Sequence, residues 1–171
     1  VDFTDLPSRT KDGFTIKITG DPNSGTDDYW IKHNNQADED VGEWVETVEP
    51  GLANTIDPAT MPIKMVRAAP NPWEESFADD FGRPAFSVSQ LDWVSRAAGD
   101  ETTAPDPSFI GETLNDMFFH KNRLGFLANE NVILSELGEH FNYYATTATD
   151  LLDTDMIDLA SPTNKVRILR H

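Results

Sequence analysis

The sequence contains no cysteine. That absence removes disulfides, thiolate metal ligands and thiol catalysis, and it leaves the redox compartment undetermined. No apolar run approaches the roughly 18 residues of a membrane span, and no basic-then-apolar leader is present, so the segment itself offers neither span nor signal peptide. No long amphipathic helix and no internal repeat emerge from the pattern. The four histidines, His33, His120, His140 and His171, lack metal-ligand spacing, and no serine sits in a Gly-x-Ser-x-Gly elbow. No catalytic residue and no cofactor is expected.

Positive charge is also scarce. Thirteen Lys and Arg face thirty Asp and Glu, a net charge of -17 over 171 residues. Such a surface repels nucleic acid and anionic lipid, most strongly at low salt. Three explanations remain open: solubility, divalent-cation binding, and a wall past which DNA slides without sticking. The length is that of about one domain, able to bury roughly 70% of its unfolded surface. Because it starts at Val1 without an initiator Met and ends on Arg170-His171 directly after the strand-like Val166 to Leu169, the chain is expected to be a piece of a longer one.

What is present is a succession of short strand signals. After a linker-like entry from Val1 to Gly13, Phe14, Ile16 and Ile18 alternate with Thr15, Lys17 and Thr19, the pattern of a half-buried strand. Tyr29 to His33 and Trp44 to Val48 continue an antiparallel meander across an exposed acidic loop, Asn34 to Gly42. Ile63 to Arg67 and Pro84 to Ser89 predict two more strands, flanking an irregular proline-containing stretch that Trp73, Phe77 and Phe81 would pin to the body. Leu91, Val94 and Ala98 fall at helical spacing, and Met156 to Ala160 and Val166 to Leu169 predict two late strands. The fold class is therefore mainly β, with few short helices.

The most informative stretch runs from Asn115 to Tyr144. Arg123 to Ala128 and Val132 to Leu134 predict the arms of a hairpin, reversed at Asn129-Glu130-Asn131, where asparagine tolerates the left-handed conformation. Continuous apolar runs, Phe118-Phe119 and Val132-Ile133-Leu134, predict strands covered on both faces, with Phe141, Tyr143 and Tyr144 as candidates to cover one of them. Core scaffold is the default reading of this stretch.

Candidate chemistry is sparse. Asp21 to Asp27 spaces oxygen ligands as a calcium loop does, but Lys32 stands where a bidentate Glu belongs, so a polar turn is the competing reading. Asp150, Asp153, Asp155 and Asp158 form a carboxylate cluster, readable as a cation site, or as a solvated loop or subunit boundary facing a basic partner. Glu136 and Glu139 lie where a glycosidase dyad would need partners in space, which one sequence does not show. Arg123, a cation beside an apolar strand with Asp116 and Glu130 nearby, predicts a bidentate bridge to carboxylates that holds strands or subunits in register. An exposed arginine is the alternative.

Several blocks carry a family resemblance: Thr60-Met61-Pro62 with Val66-Arg67, Trp93, Arg96, Ala98-Gly99-Asp100, Pro107-Ser108-Phe109, and above all Asn115-Asp116, Phe118-Phe119, Asn122 to Leu127 and Glu130 to Ser135. Weaker matches extend it over nearly the whole chain from about Gly13. The sequence resembles the tail tubular protein B, or nozzle protein, family of short-tailed bacteriophages, whose members are much longer. The resemblance implies a non-enzymatic structural protein of the virion tail, assembled in a six-fold ring below the tail adaptor protein. It also implies platform-like and β-propeller-like modules, attachment of tail fibres, and DNA passing without specific binding. On that basis residues 1–55 are expected to form an antiparallel platform-like module and 56–171 a β-propeller-like portion. Asn115, Asp116, Arg123, Glu130, Asn131 and Ser135 are the expected structural or interface residues. The rival from another class is a calcium-dependent β-sandwich-like module attaching to host glycans; a cell-wall hydrolase is a distant third.

Overall fold

The computed structural model describes residues 1–21, 23, 27–35, 42–67 and 86–160. Their regular structure is almost entirely antiparallel β, with two single 3-10 turns at Phe3–Asp5 and Pro58–Thr60. Two compact units are present: Val1–Ile56 together with Val94–His171, and Asp57–Trp93.

In the first unit, β1 (Thr15–Ile18), β2 (Tyr29–Asn35) and β3 (Gly42–Thr47) form a three-stranded antiparallel sheet in chain order. Its register places Ile16 opposite Ile31 and Ile31 opposite Glu46, so the alternation legible from Phe14 onward is the alternation of the two faces. Ile18, Ile31 and His33 are buried on one of them. The His33 ring meets Trp44 edge to face at 4.9 Å, and its Nδ1 lies 2.6 Å from Asn35 Oδ1. Trp44 Nε1 in turn donates to the Pro7 carbonyl at 3.2 Å, which fastens the entry segment to the sheet.

The same unit holds a four-stranded antiparallel meander of β6 (Leu114–His120), β7 (Arg123–Ala128), β8 (Asn131–Leu134) and β9 (Ile157–Ala160), again in chain order. β7 and β8 reverse through Asn129-Glu130, and Asn129 takes the left-handed conformation at φ 51°. The predicted hairpin is there, but it is half of the sheet. A second tight reversal, Lys121-Asn122 at φ 46° and 60°, joins β6 to β7 in the conformation that a two-residue hairpin needs.

The expectation of cover on both faces holds for β7, which is buried along nearly its whole length, and fails for β6. Met117 and Phe119 of that edge strand, which share one face of it, are exposed, because among the described residues no layer covers that face there. Tyr143 covers the centre of the sheet as anticipated: it stacks on Phe126 at 5.2 Å, and Phe109 meets both rings edge to face at 5.4 and 5.1 Å. Such triads add roughly 0.5–1.5 kcal/mol per pair beyond area burial.

The second unit contains β4 (Lys64–Arg67) paired with β5 (Phe86–Ser89) as a two-stranded ribbon. Asp57 caps the 3-10 turn before it by accepting the Ala59 amide at 2.9 Å.

The helical spacing of Leu91, Val94 and Ala98 does not produce a helix. The Val94 amide donates to the Phe141 carbonyl and the Arg96 amide to the Asn54 carbonyl, so alternate amides serve other segments and no helical ladder forms. The stretch assigned to Trp73, Phe77 and Phe81, the strand at Val166 to Leu169, and parts of the Asp21 to Asp27 and Asn34 to Gly42 loops lie outside the described residues.

Candidate functional site

Arg123 opens β7, and its side chain turns into the protein rather than out to solvent. Nη1 donates to the carbonyls of Ser135 at 2.6 Å and Asp155 at 2.7 Å, and Nη2 to the carbonyl of Asp153 at 3.1 Å. The predicted carboxylate bridge to Asp116 and Glu130 is therefore replaced by a bridge to backbone. The reason is geometric: a rigid planar fork of donors meets several carbonyls that converge where β8 ends and the chain returns toward β9. Bonds of this kind to a charged group contribute about 1.5–3 kcal/mol each, net of the water partners they replace.

Ser135 completes the junction. Fully buried, its Oγ accepts the Leu124 amide at 3.0 Å and donates to the Glu136 carbonyl at 3.1 Å. The Leu124 carbonyl accepts both the Ser135 amide at 2.9 Å and the Tyr143 hydroxyl at 3.0 Å. Burial pushes the Tyr143 phenol far above its ordinary value, so it stays a donor throughout the physiological range. Arg123 and Ser135, singled out from sequence, thus belong to one site.

The other expected residues lie elsewhere on the same sheet. Asn131 pairs with Ala128 and Ala160 at the far end of β8, Glu130 occupies the turn, and Asp116 and Asn115 lie at the irregularity in the β6 register. The Asp116 carboxylate accepts its neighbour's amide, that of Met117, at 2.8 Å.

The carboxylate cluster does not assemble as a cation site among the described residues. Asp155 is buried and spends its two oxygens on the Thr146 amide at 3.3 Å and the Leu152 amide at 2.8 Å. Asp158 accepts the amide and the hydroxyl of Ser108, both at 2.7 Å. Asp150 and Asp153 are exposed.

Two further polar clusters escaped sequence reasoning. Glu46 of β3 accepts the Thr147 hydroxyl at 2.8 Å on each oxygen, the Ala148 amide at 3.0 Å and the Thr149 hydroxyl at 3.0 Å, across about a hundred residues of chain. Buried Arg96 pairs with Asp106 and lies over the Tyr144 ring at 5.0 Å, while the Tyr144 hydroxyl donates to Asp106 at 3.0 Å. Burial, then the bond to Asp106, pushes the Tyr144 phenol up to about 12. A lone cation inside the small-residue run Ser95 to Gly99 was the one sequence cue to this second cluster.

Arg123, Ser135, Asp155, Asp158 and Glu46 spend their polarity on holding backbone and loops in place, the work of a structural β protein. The family described as bacteriophage nozzle protein matches residues 1–171, and the chain belongs to that family. It is accordingly a non-enzymatic structural protein of the phage virion tail. Among curated proteins it is similar to the tail tubular protein gp12 of Escherichia phage T7, at 36% identity over 169 residues, which is 99% of this chain and 19% of that relative. The chain thus spans about a fifth of the length of the curated relative it matches. Among the described residues no helix is long and apolar enough to cross a membrane.

Proposed function

We propose that this segment is one sector of the wall of a nozzle ring, built from six copies of the full-length chain, that conducts DNA out of the virion and anchors tail fibres below the tail adaptor protein. Membership of the nozzle family along residues 1–171 carries this reading. The sheet β6-β7-β8-β9 supports it further, because four antiparallel strands in simple up-and-down order are the unit from which propeller blades are made. In this reading residues 56–171 contribute to a β-propeller-like portion and 1–55, with their three-stranded meander, to a platform-like module.

The acidity has a role in the same scheme. A channel lined with carboxylates makes no counterion-releasing contacts with phosphate, so DNA passes without being held. The net charge of -17 supports such a lining. The test is the native mass and particle shape of the full-length protein, by light scattering and negative-stain microscopy. A six-fold ring with a central opening is expected. A protein that stays monomeric when its neighbouring tail proteins are added overturns the ring, and a map with Lys and Arg in the lumen overturns the carboxylate lining.

A further inference from the structure

We infer that Asp12-Gly13 is a latent modification site, at which aspartate isomerises to isoaspartate when the turn ahead of β1 opens, so that opening leaves a permanent covalent mark on the chain. The chemistry acts within a single chain and does not depend on the ring. Asp12-Gly13 is the one Asp-Gly pair in the sequence. Glycine has no Cβ, so no side chain shields its nitrogen or restricts the rotations that bring that nitrogen to the preceding carboxyl. Both residues are exposed, so water reaches them.

The reaction is self-contained. The Gly13 amide nitrogen gives up its proton and attacks Asp12 Cγ, the Cγ–O bond breaks, and water leaves as a five-membered succinimide closes. Water then returns. Adding at the former main-chain carbonyl of Asp12, it breaks that carbon's bond to the Gly13 nitrogen, and the chain now runs through Cγ as isoaspartate; adding at Cγ restores aspartate. One water lost and one regained make the step an isomerisation that needs no oxidant or other co-reactant.

In the folded protein both reacting groups are held. Lys11 to Phe14 form a reverse turn, closed by the Phe14 amide on the Lys11 carbonyl at 3.1 Å, with Gly13 at φ 74° in the third position, where a type II turn takes glycine. The nitrogen that must attack donates to the His33 carbonyl at 2.8 Å. The carboxyl that must be attacked accepts the Asn35 amide through Oδ1 at 2.9 Å. Both partners belong to β2, so the two reacting groups are tied to that strand rather than to each other. Reaction therefore waits on a local opening that releases both. The product does not reclose the turn, because its main chain is longer by one carbon and the carboxyl that took the Asn35 amide has become part of that main chain.

The experiment incubates the full-length protein at neutral pH, native and in urea above its unfolding midpoint, and reads the peptide carrying residues 12 and 13 by electron-transfer mass spectrometry, which separates isoaspartate from aspartate. Isoaspartate is expected to accumulate at least about tenfold faster in the unfolded chain, and in lower urea its rate rises in step with hydrogen exchange at the Gly13 amide. Equal rates in native and unfolded protein, or aspartate that persists in both, overturn the inference. Asn35→Pro deletes the amide that holds Asp12 and raises the native rate; a folded variant that reacts no faster than the parent also overturns it. The comparison on the parent protein stands whether or not that variant folds.

Discussion

The ring of Phe118 on β6 lies flat across Gly125 on β7, so close that a Cβ at position 125 would stand 2.4 Å from Phe118 Cζ. The glycine is there because the aromatic ring occupies the volume of its missing side chain. Gly125→Ala is expected to destabilise the protein by about 1–3 kcal/mol through overpacking. In a Phe118→Ala background the same substitution loses most of its cost. Thermal unfolding of the four variants of this cycle checks the coupling, and additive effects would count against the contact.

Arg123 is expected to be the most sensitive of the polar residues. Arg123→Met removes its bonds to Ser135, Asp153 and Asp155 and leaves buried carbonyls without donors, a loss of about 3–5 kcal/mol. Arg123→Lys keeps the charge but not the planar fork, and recovers less than half of the stability. Denaturant unfolding ranks the three proteins. A lysine variant as stable as the parent would show that charge rather than geometry matters.

Glu46 ties β3 to the loop at Thr147 to Thr149. Glu46→Gln retains one carbonyl oxygen and weakens the tie, whereas Glu46→Ala removes it at a cost of about 1–3 kcal/mol. Hydrogen exchange at the Ala148 amide reads the effect directly: it rises in the order parent, Gln, Ala. Equal exchange in all three would remove the clamp from consideration.

Burial raises both Tyr143 and Tyr144 above the usual phenol value, so the folded protein holds their protons more tightly than the unfolded chain does. Their contribution to stability is complete below the unfolded value, about pH 10, and is lost as pH rises through the folded values. The melting temperature is therefore expected to fall from about pH 10 upward, with phenolate absorbance developing only as the protein unfolds. Tyr143→Phe flattens this alkaline slope, and also lowers stability by about 1 kcal/mol through the lost bond to Leu124. Phenolate absorbance that develops well before unfolding would contradict it.

Calcium is expected to leave the melting temperature unchanged. Both oxygens of Asp155 and of Asp158 are already engaged by internal donors, and a ligand that does not bind the native state does not stabilise it. A rise at saturating calcium, reversed by EDTA, would reinstate the attachment-module reading.

What was legible in the sequence was local. The alternation of Phe14, Ile16 and Ile18, the asparagine reversal at Asn129, and the closeness of Tyr143 to the hairpin each rest on period or turn chemistry within a few residues. The misses are of a different kind. Lys121-Asn122 forms a left-handed reversal without the glycine that usually marks one, so β6 was not separated from β7. Arg123 takes backbone carbonyls as partners, and carbonyls carry no sequence signature, so nearby carboxylates attracted the assignment instead. Leu91 to Ala98 had helical spacing, but long-range partners such as Asn54 and Phe141 claimed its amides. Glu46 and Thr147 stand about a hundred positions apart, beyond the reach of any window.

The choice of acceptors around Arg123 has a consequence for the conditions a virion meets. A lock made from arginine and carboxylates opens when acid protonates the carboxylates, whereas carbonyl oxygens have no proton to gain in that range. The Arg123 bonds at the junction between β7, β8 and the return toward β9 are thus indifferent to acid, set within a protein whose abundant surface carboxylates lose their charge at low pH. An acidic passage would discharge the surface of the protein and leave the Arg123 bonds intact.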